Sequence, residues 1–162
     1  MALLRGDVSR MAGDKDNARK FYTQALQLSK AQLVTQSGES PPYSAIALAE
    51  AGLGNKADAL QAVDELIANS QRIGSVLELT DAQFVLAQIH TRFGDDGQAT
   101  EELGKALAAP FGNTVSVPLL KLDPTWDPIR HDPRFQALLK KYATKTGAAA
   151  APSSSGAAAV PR

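Results

Sequence analysis

Three stretches of fourteen residues align without a gap and decide the fold: GDKDNARKFYTQAL (residues 13–26), GNKADALQAVDELI (54–67) and GDDGQATEELGKAL (94–107). Each opens on Gly followed by Asp or Asn. Ala comes five positions later (Ala18, Ala59, Ala99), an apolar residue four after that (Tyr22, Val63, Leu103), and a closing pair ends the block (Ala25-Leu26, Leu66-Ile67, Ala106-Leu107). The residue types follow from packing. Gly13, Gly54 and Gly94 permit a sharp turn between two helices, the small Ala lets the second helix approach the first, and the later residues form a buried seam. Each block is therefore the second half of a helical hairpin.

Working outward, apolar residues at three- and four-residue steps from Asp14 through Phe21/Tyr22, Leu26 and Leu33 predict a helix that Gly38 and Pro41-Pro42 end. A second runs from Tyr43 to Gly54-Asn55 and a third from Ala57 to about Ser70. Thr80-Asp81 offers an N-cap for a fourth, which carries Val85/Leu86, Ile89 and Phe93 and stops at Gly94; a fifth covers about 95–109 before Pro110. The expected class is all-α, a solenoid of about three hairpins near 1–36, 42–72 and 80–110. Few aromatics (6%) beside 44% hydrophobic residues agree with a helical chain rich in Ala and Leu.

Before Gly13 only twelve residues remain, and Ala2-Leu3-Leu4-Arg5-Gly6 makes a poor start to a packing helix. A solenoid end normally carries a polar cap, and none is evident there. Either residues 1–12 form a short fraying helix or Met1 lies inside a longer chain; the second is the expectation. The Arg5-Gly6-Asp7 tripeptide spells an adhesion motif, a match too short to carry weight.

Composition removes several function classes. The 162 residues balance 17 Lys+Arg against 17 Asp+Glu, so the basic footprint of nucleic-acid or anionic-lipid binding is absent. No cysteine means no thiol catalysis, disulfide or thiolate metal site. His90 and His131, the two imidazoles, share no local motif, and no phosphate-binding loop, dinucleotide fingerprint or calcium loop occurs. His90 reads as a packing residue. Carboxylate pairs such as Asp64-Glu65, Asp95-Asp96 and Glu101-Glu102 point in different directions on a helix and read as solvated faces. No catalytic residue, metal or cofactor is expected. The apolar stretches are only a few residues long and Arg5 and Asp7 interrupt the start, so no membrane-spanning segment or signal peptide is expected in this sequence, and the expected compartment is the cytoplasm.

The Gly-Asp/Asn turn, the fixed Ala, the following aromatic or apolar residue and the closing Ala-Leu resemble the tetratricopeptide repeat family. In the first helices, Tyr43, Ile46 and Ala47 stand at that family's large, Leu and small positions, as do Gln83, Leu86 and Ala87. Departures are visible. Gln83 replaces a large apolar residue, Glu50 and His90 occupy a usual aromatic position, and Lys30 stands where the first block should close on Pro. The glycines lie 41 and 40 residues apart, against about 34 in that family. A 40-residue period also fits HEAT or armadillo arrays, which do not call for Gly-Asp/Asn followed by Ala at a fixed step.

The segment VSVPLLKLDPTWDPIRHDPRFQALLKKY (115–142) places Asp before Pro three times, at Asp123-Pro124, Asp127-Pro128 and Asp132-Pro133. Each pairs an N-cap with a residue suited to the first helical position. The chain should turn repeatedly and then start a capping helix at Asp132-Pro133. Phe135, Leu138/Leu139 and Tyr142 would cover the last repeat, with Trp126 and Leu119, Leu120 and Leu122 packed beneath. Anion binding by Arg130, His131 and Arg134 is the alternative for this segment, disfavoured because Pro removes N–H donors. The string is similar to the closing segment of bacterial regulators whose tetratricopeptide array follows a winged-helix, protein-kinase or adenylate-cyclase-like domain. Some of these regulators carry the array beyond a membrane helix, which would make an extracytoplasmic arm. The repeat domain is expected over 1–145, and 146–162 read as a disordered low-complexity tail.

That resemblance implies a concave surface built from the first helix of each hairpin: Ser44, Leu48 and Ala51, then Phe84, Gln88 and Arg92. Phe84 is apolar yet off the Val85/Ile89 seam, so it binds a partner or packs into the neighbouring hairpin. The groove would suit a peptide or helix bearing an acidic or amide group. The resulting expectation is a non-enzymatic protein-interaction module and scaffold, the C-terminal sensing or docking arm of a larger bacterial regulator. The alternative is a self-association module, a homo-oligomer formed through its N-terminal face.

Overall fold

The computed structural model describes residues 1–35, 41–109 and 115–148, with side chains described through Ala143. Among them the chain is all-helical: α1 (Ala2–Met11), α2 (Lys15–Thr35), α3 (Tyr43–Leu53), α4 (Lys56–Ile73), α5 (Val76–Phe93), α6 (Asp96–Ala108), α7 (Val117–Leu122), a 3-10 helix (Pro124–Ile129) and α8 (Pro133–Ala148). Consecutive helices pack as hairpins α1–α2, α3–α4 and α5–α6. The first helices α1, α3 and α5 also touch in order, and the 3-10 helix adds to α5. The last helix, α8, runs to Ala148, past residue 146 where the tail was expected to start; residues 149–162, on which the rest of that expectation falls, lie outside the described residues, as do Gly38 and Pro110.

The repeat positions do the work their types suggest. Gly13, Gly54 and Gly94 all have positive φ (78°, 90° and 79°), where a Cβ would be strained. Ala18, Ala59 and Ala99 are buried, and so are Tyr22, Val63 and Leu103 behind them. Two apolar clusters result. Ile46, Ala47, Val63, Leu66, Val85 and Ile89 form one between the second hairpin and α5. Leu103, Ala106, Leu120, Trp126, Phe135 and Leu139 form the other, where α7, the 3-10 helix and α8 close the last hairpin.

Four expectations change. First, α5 begins at Val76, a turn before Thr80-Asp81: Ser75 Oγ accepts the Glu78 N–H at 3.2 Å, and the Thr80 hydroxyl donates to the Val76 carbonyl inside the helix. Gly74, in the left-handed conformation, caps α4, and Gly74 and Ser75 are the two residues between the helices. Second, α1 is a ten-residue packing helix. Gly6 lies on the Tyr22 ring, where a Cβ would come within 2.6 Å, so the residue that made the stretch look unhelical is the one that admits its neighbour. Third, Asp127-Pro128 starts nothing; it falls inside the 3-10 helix, and Asp127 accepts from Arg130 Nε at 2.9 Å. Fourth, Leu120 alone of its trio is buried. In the short α7, Val117 and Leu120 share the inner face, which turns Leu119 and Leu122 outward.

The cap follows the expected chemistry. Trp126 and Phe135 are fully buried, and Pro133 is the first residue of α8. Asp132 Oδ1 accepts the Arg134 N–H at 2.7 Å, and the Arg134 side chain lowers the Asp132 carboxyl to about 2. Arg130 donates to the carbonyls of Lys121 and Asp123. Both arginines of the anion alternative are thus engaged within the cap.

Candidate binding surface

Counted back from the turn glycines, the first helices repeat in register. Ten residues before each Gly stand Leu3, Ser44 and Phe84; six before stand Asp7, Leu48 and Gln88; two before stand Met11, Gly52 and Arg92. Because α1, α3 and α5 touch in order, these rows run across one face of the layer. Ala51 does not belong to it. It is one residue off the row of Arg92, its equivalent is Thr91, and both are 3% exposed.

A single network closes one end of this face. Tyr22, from α2, threads its ring between Gly6 and Gly52, whose added Cβ atoms would lie 2.6 and 2.5 Å from ring carbons. Its hydroxyl donates to Asp7 Oδ1 at 2.7 Å. The same oxygen accepts from Arg92 Nη2 at 2.7 Å, and the guanidinium carbon stands 5.3 Å from the Tyr22 ring centroid. Burial first, then the bond to Asp7, push the Tyr22 hydroxyl above the usual phenol value, so it remains a donor at neutral pH. Arg92 ties the third hairpin to α1 through Asp7, and the Tyr22 ring fills the space a side chain at Gly52 would take, which is why the second hairpin has none in that row.

The other expected surface residues are drawn in by neighbours. Ser44 Oγ donates to Asp81 Oδ2 at 2.6 Å across α3 and α5. Phe84 is half-buried against Trp126, ring centroids 5.5 Å apart and tilted by 51°, so of its two readings the structure takes packing. Leu48 is half-buried on the middle cluster, and Gln88 is half-exposed. Arg92, which the expected acidic partner would need, already holds a carboxylate.

Glu50 and His90 serve the turns: each stands four residues before its turn glycine. Glu50 is 4% exposed and accepts from Lys30 Nζ at 3.0 Å and Asn55 Nδ2 at 2.8 Å. In the next hairpin His90 Nδ1 lies 3.1 Å from Asp95 Oδ2, which also takes Lys56 Nζ at 2.5 Å. Lys56 first, then His90, hold the Asp95 carboxyl below the ordinary range. Each set joins the end of a first helix to the turn after it and then reaches the second helix of the previous hairpin.

Sequence reasoning passed over a second surface. Between α2 and α4, floored by α3, lies an open trough of about 490 Å³. Leu33, Val34, Tyr43 and Ile46 give it an apolar side, with Val34 86% exposed; Asp58 and Glu65 stand on the α4 wall. Val34 follows Leu33 beyond the repeat block, and that one-residue offset from the helical stripe was the available signal. Among the described residues no group of three His, Cys, Asp or Glu is placed to hold a metal ion, and no helix is long and apolar enough to cross a membrane. No family model, curated protein or solved structure matches this chain.

Proposed function

We propose that this chain is a non-enzymatic helical-repeat module of the tetratricopeptide kind, a scaffold that binds a protein segment as the docking arm of a larger bacterial regulator. One observation carries the binding reading: the trough between α2 and α4 keeps a large apolar side chain, Val34, almost fully in water beside Asp58 and Glu65, carboxylates with no ion pair among the described residues. An amphipathic helix or extended segment with a Leu-like anchor and a Lys or Arg beside it fits that chemistry. Lys30 adds no competing charge, because Glu50 holds it. The partner charge is therefore basic, the reverse of what Arg92 suggested.

The test is a random-peptide selection on the intact chain, followed by titration of the selected peptides. Peptides pairing an apolar anchor with a basic residue are expected, with binding to Glu65→Lys or Val34→Glu weakened at least about tenfold and binding to the distant Glu101→Lys unchanged. Equal binding to all variants removes the trough from the proposal. The regulator arm is tested separately by immunoblot of the source lysate with an antibody to residues 7–142. A band far above 17.1 kDa supports it, and a band at 17.1 kDa removes it.

A further inference from the structure

At the turn edge of the molecule, between the first and second hairpins, lies a cleft of about 170 Å³. Tyr22, Gly52 and Leu53 floor it, and the exposed side chains of Arg10, Lys15 and Arg19 line it. Among the described residues these three cations have no ion pair, and no carboxylate lines the cleft. The nearby acids are engaged or turned away: Asp7 holds Tyr22 and Arg92, Asp14 uses both oxygens on Asn17, and Asp16 stands on the outer face of α2. The internal repeat shows how such a junction is otherwise neutralised. Between the second and third hairpins Lys56, two residues after its turn glycine, is bound by Asp95, one residue after the next turn glycine, and lies 5.6 Å from the Phe93 ring centroid. Lys15 takes the place of Lys56 in the first hairpin, but Asn55 stands where Asp95 would be, and its side chain donates to Glu50. Arg10 and Arg19 stand where the second hairpin has Ala51 and Leu60, and Leu53 where the third has Phe93. At one register the first junction has lost a carboxylate and gained two cations.

We infer that this cleft is an anion site for a phosphoryl group, which Lys15, Arg10 and Arg19 bind in the role that Asp95 plays toward Lys56 one junction later. Three cations from two helices suit a tetrahedral dianion better than a single carboxylate, because two guanidinium forks and a lysine point charge reach separate oxygens. The small volume agrees with one phosphoryl group. A nucleic-acid backbone would need a longer basic stripe, which a chain of zero net charge does not supply. Inorganic phosphate and a phosphorylated side chain share this chemistry, and titration separates them. Every lining residue belongs to the junction that α1, α2 and α3 make with one another. The cleft lies at the opposite end of α2 from the trough, and neither reading depends on the other.

The experiment is an amide chemical-shift titration of the full chain with sodium phosphate and, separately, with a short phosphoserine peptide, at constant ionic strength held by sodium chloride. Saturable shifts confined to residues 10–22 and 52–55 are expected. Equal affinity for the two probes identifies free phosphate as sufficient, and a peptide bound at least about tenfold more tightly identifies a phosphorylated protein segment; either result supports the site. Lys15→Gln with Arg19→Gln should weaken binding at least about tenfold with an unchanged helical circular-dichroism spectrum, since both side chains are exposed. Asn55→Asp keeps every cation yet restores the carboxylate of the next junction, so it should weaken binding as much. Lys140→Gln, exposed on α8, should bind as the parent does. Shifts that fail to saturate, that chloride reproduces, or that survive Asn55→Asp at parental affinity overturn the proposal.

Discussion

Gly52→Ala should destabilise the protein, although Ala is the better helix former. The new Cβ would lie 2.5 Å from Tyr22 Cδ1 and Cγ, well inside contact distance. Tyr22 is 1% exposed, held by Gly6 on its other face and by Asp7 at its hydroxyl, so the ring has nowhere to retreat. Overpacking of this kind costs about 1–3 kcal/mol, and the helix-propensity gain of at most about 0.5–1 kcal/mol offsets only part. A net loss of about 1–2 kcal/mol corresponds to a melting midpoint lower by about 2–8 °C for a domain of this size. The matched control is Gly104→Ala in α6. Its Cβ would meet Leu138 Cδ1 at 3.5 Å, an ordinary contact, so that variant should gain about 0.5–1 kcal/mol. Both are read by urea and thermal denaturation followed by circular dichroism. A Gly52→Ala chain that melts higher, as Gly104→Ala should, would refute the ring sandwich and with it the account of how α1 and α3 pack on α2.

Phe84→Ala should lower stability by about 2–3 kcal/mol through lost packing on Trp126; an unmoved denaturation midpoint would return Phe84 to the free surface. A double-mutant cycle on Asp7→Ala and Arg92→Ala should show a coupling of about 0.5–1.5 kcal/mol, reduced by salt because both groups are partly exposed; zero coupling would dissolve the tie between α1 and α5. Asp132, depressed to about 2 from an ordinary 3.8, stabilises the fold above its unfolded value and loses that contribution as pH falls toward 2. Asp132→Asn should therefore melt below the parent at pH 5–7, with the gap closing between about pH 4 and pH 2; a constant gap would mean the carboxylate charge is not what Arg134 reads.

Much of the fold could be read from local chemistry. The turn glycines, the Ala at the closest approach and the seam residues were legible because each is constrained within a few turns of helix. The start of α5 was legible too, and was passed over: Ser75 and Glu78 stand at capping-box spacing, yet Thr80-Asp81 stood nearer the apolar run. The binding surface was harder. Its row positions could be counted from the glycines, and that count, applied consistently, places Asp7 beside Leu48 and Gln88 and excludes Ala51. It does not tell which of those side chains other elements have already taken.

By itself the sequence determined an all-helical hairpin array, where its turns fall and which end carries a cap, because helix period and turn chemistry act between residues near in the chain. Only the tertiary structure decided that Arg92 is a tie to α1 and that Phe84 packs on Trp126, while Val34 is left exposed among the described residues. Asp7 and Arg92 are 85 positions apart and meet only when three hairpins stack. Whether a polar or apolar side chain is free depends on what the stacked neighbour presents, which a helix-length window of sequence does not contain.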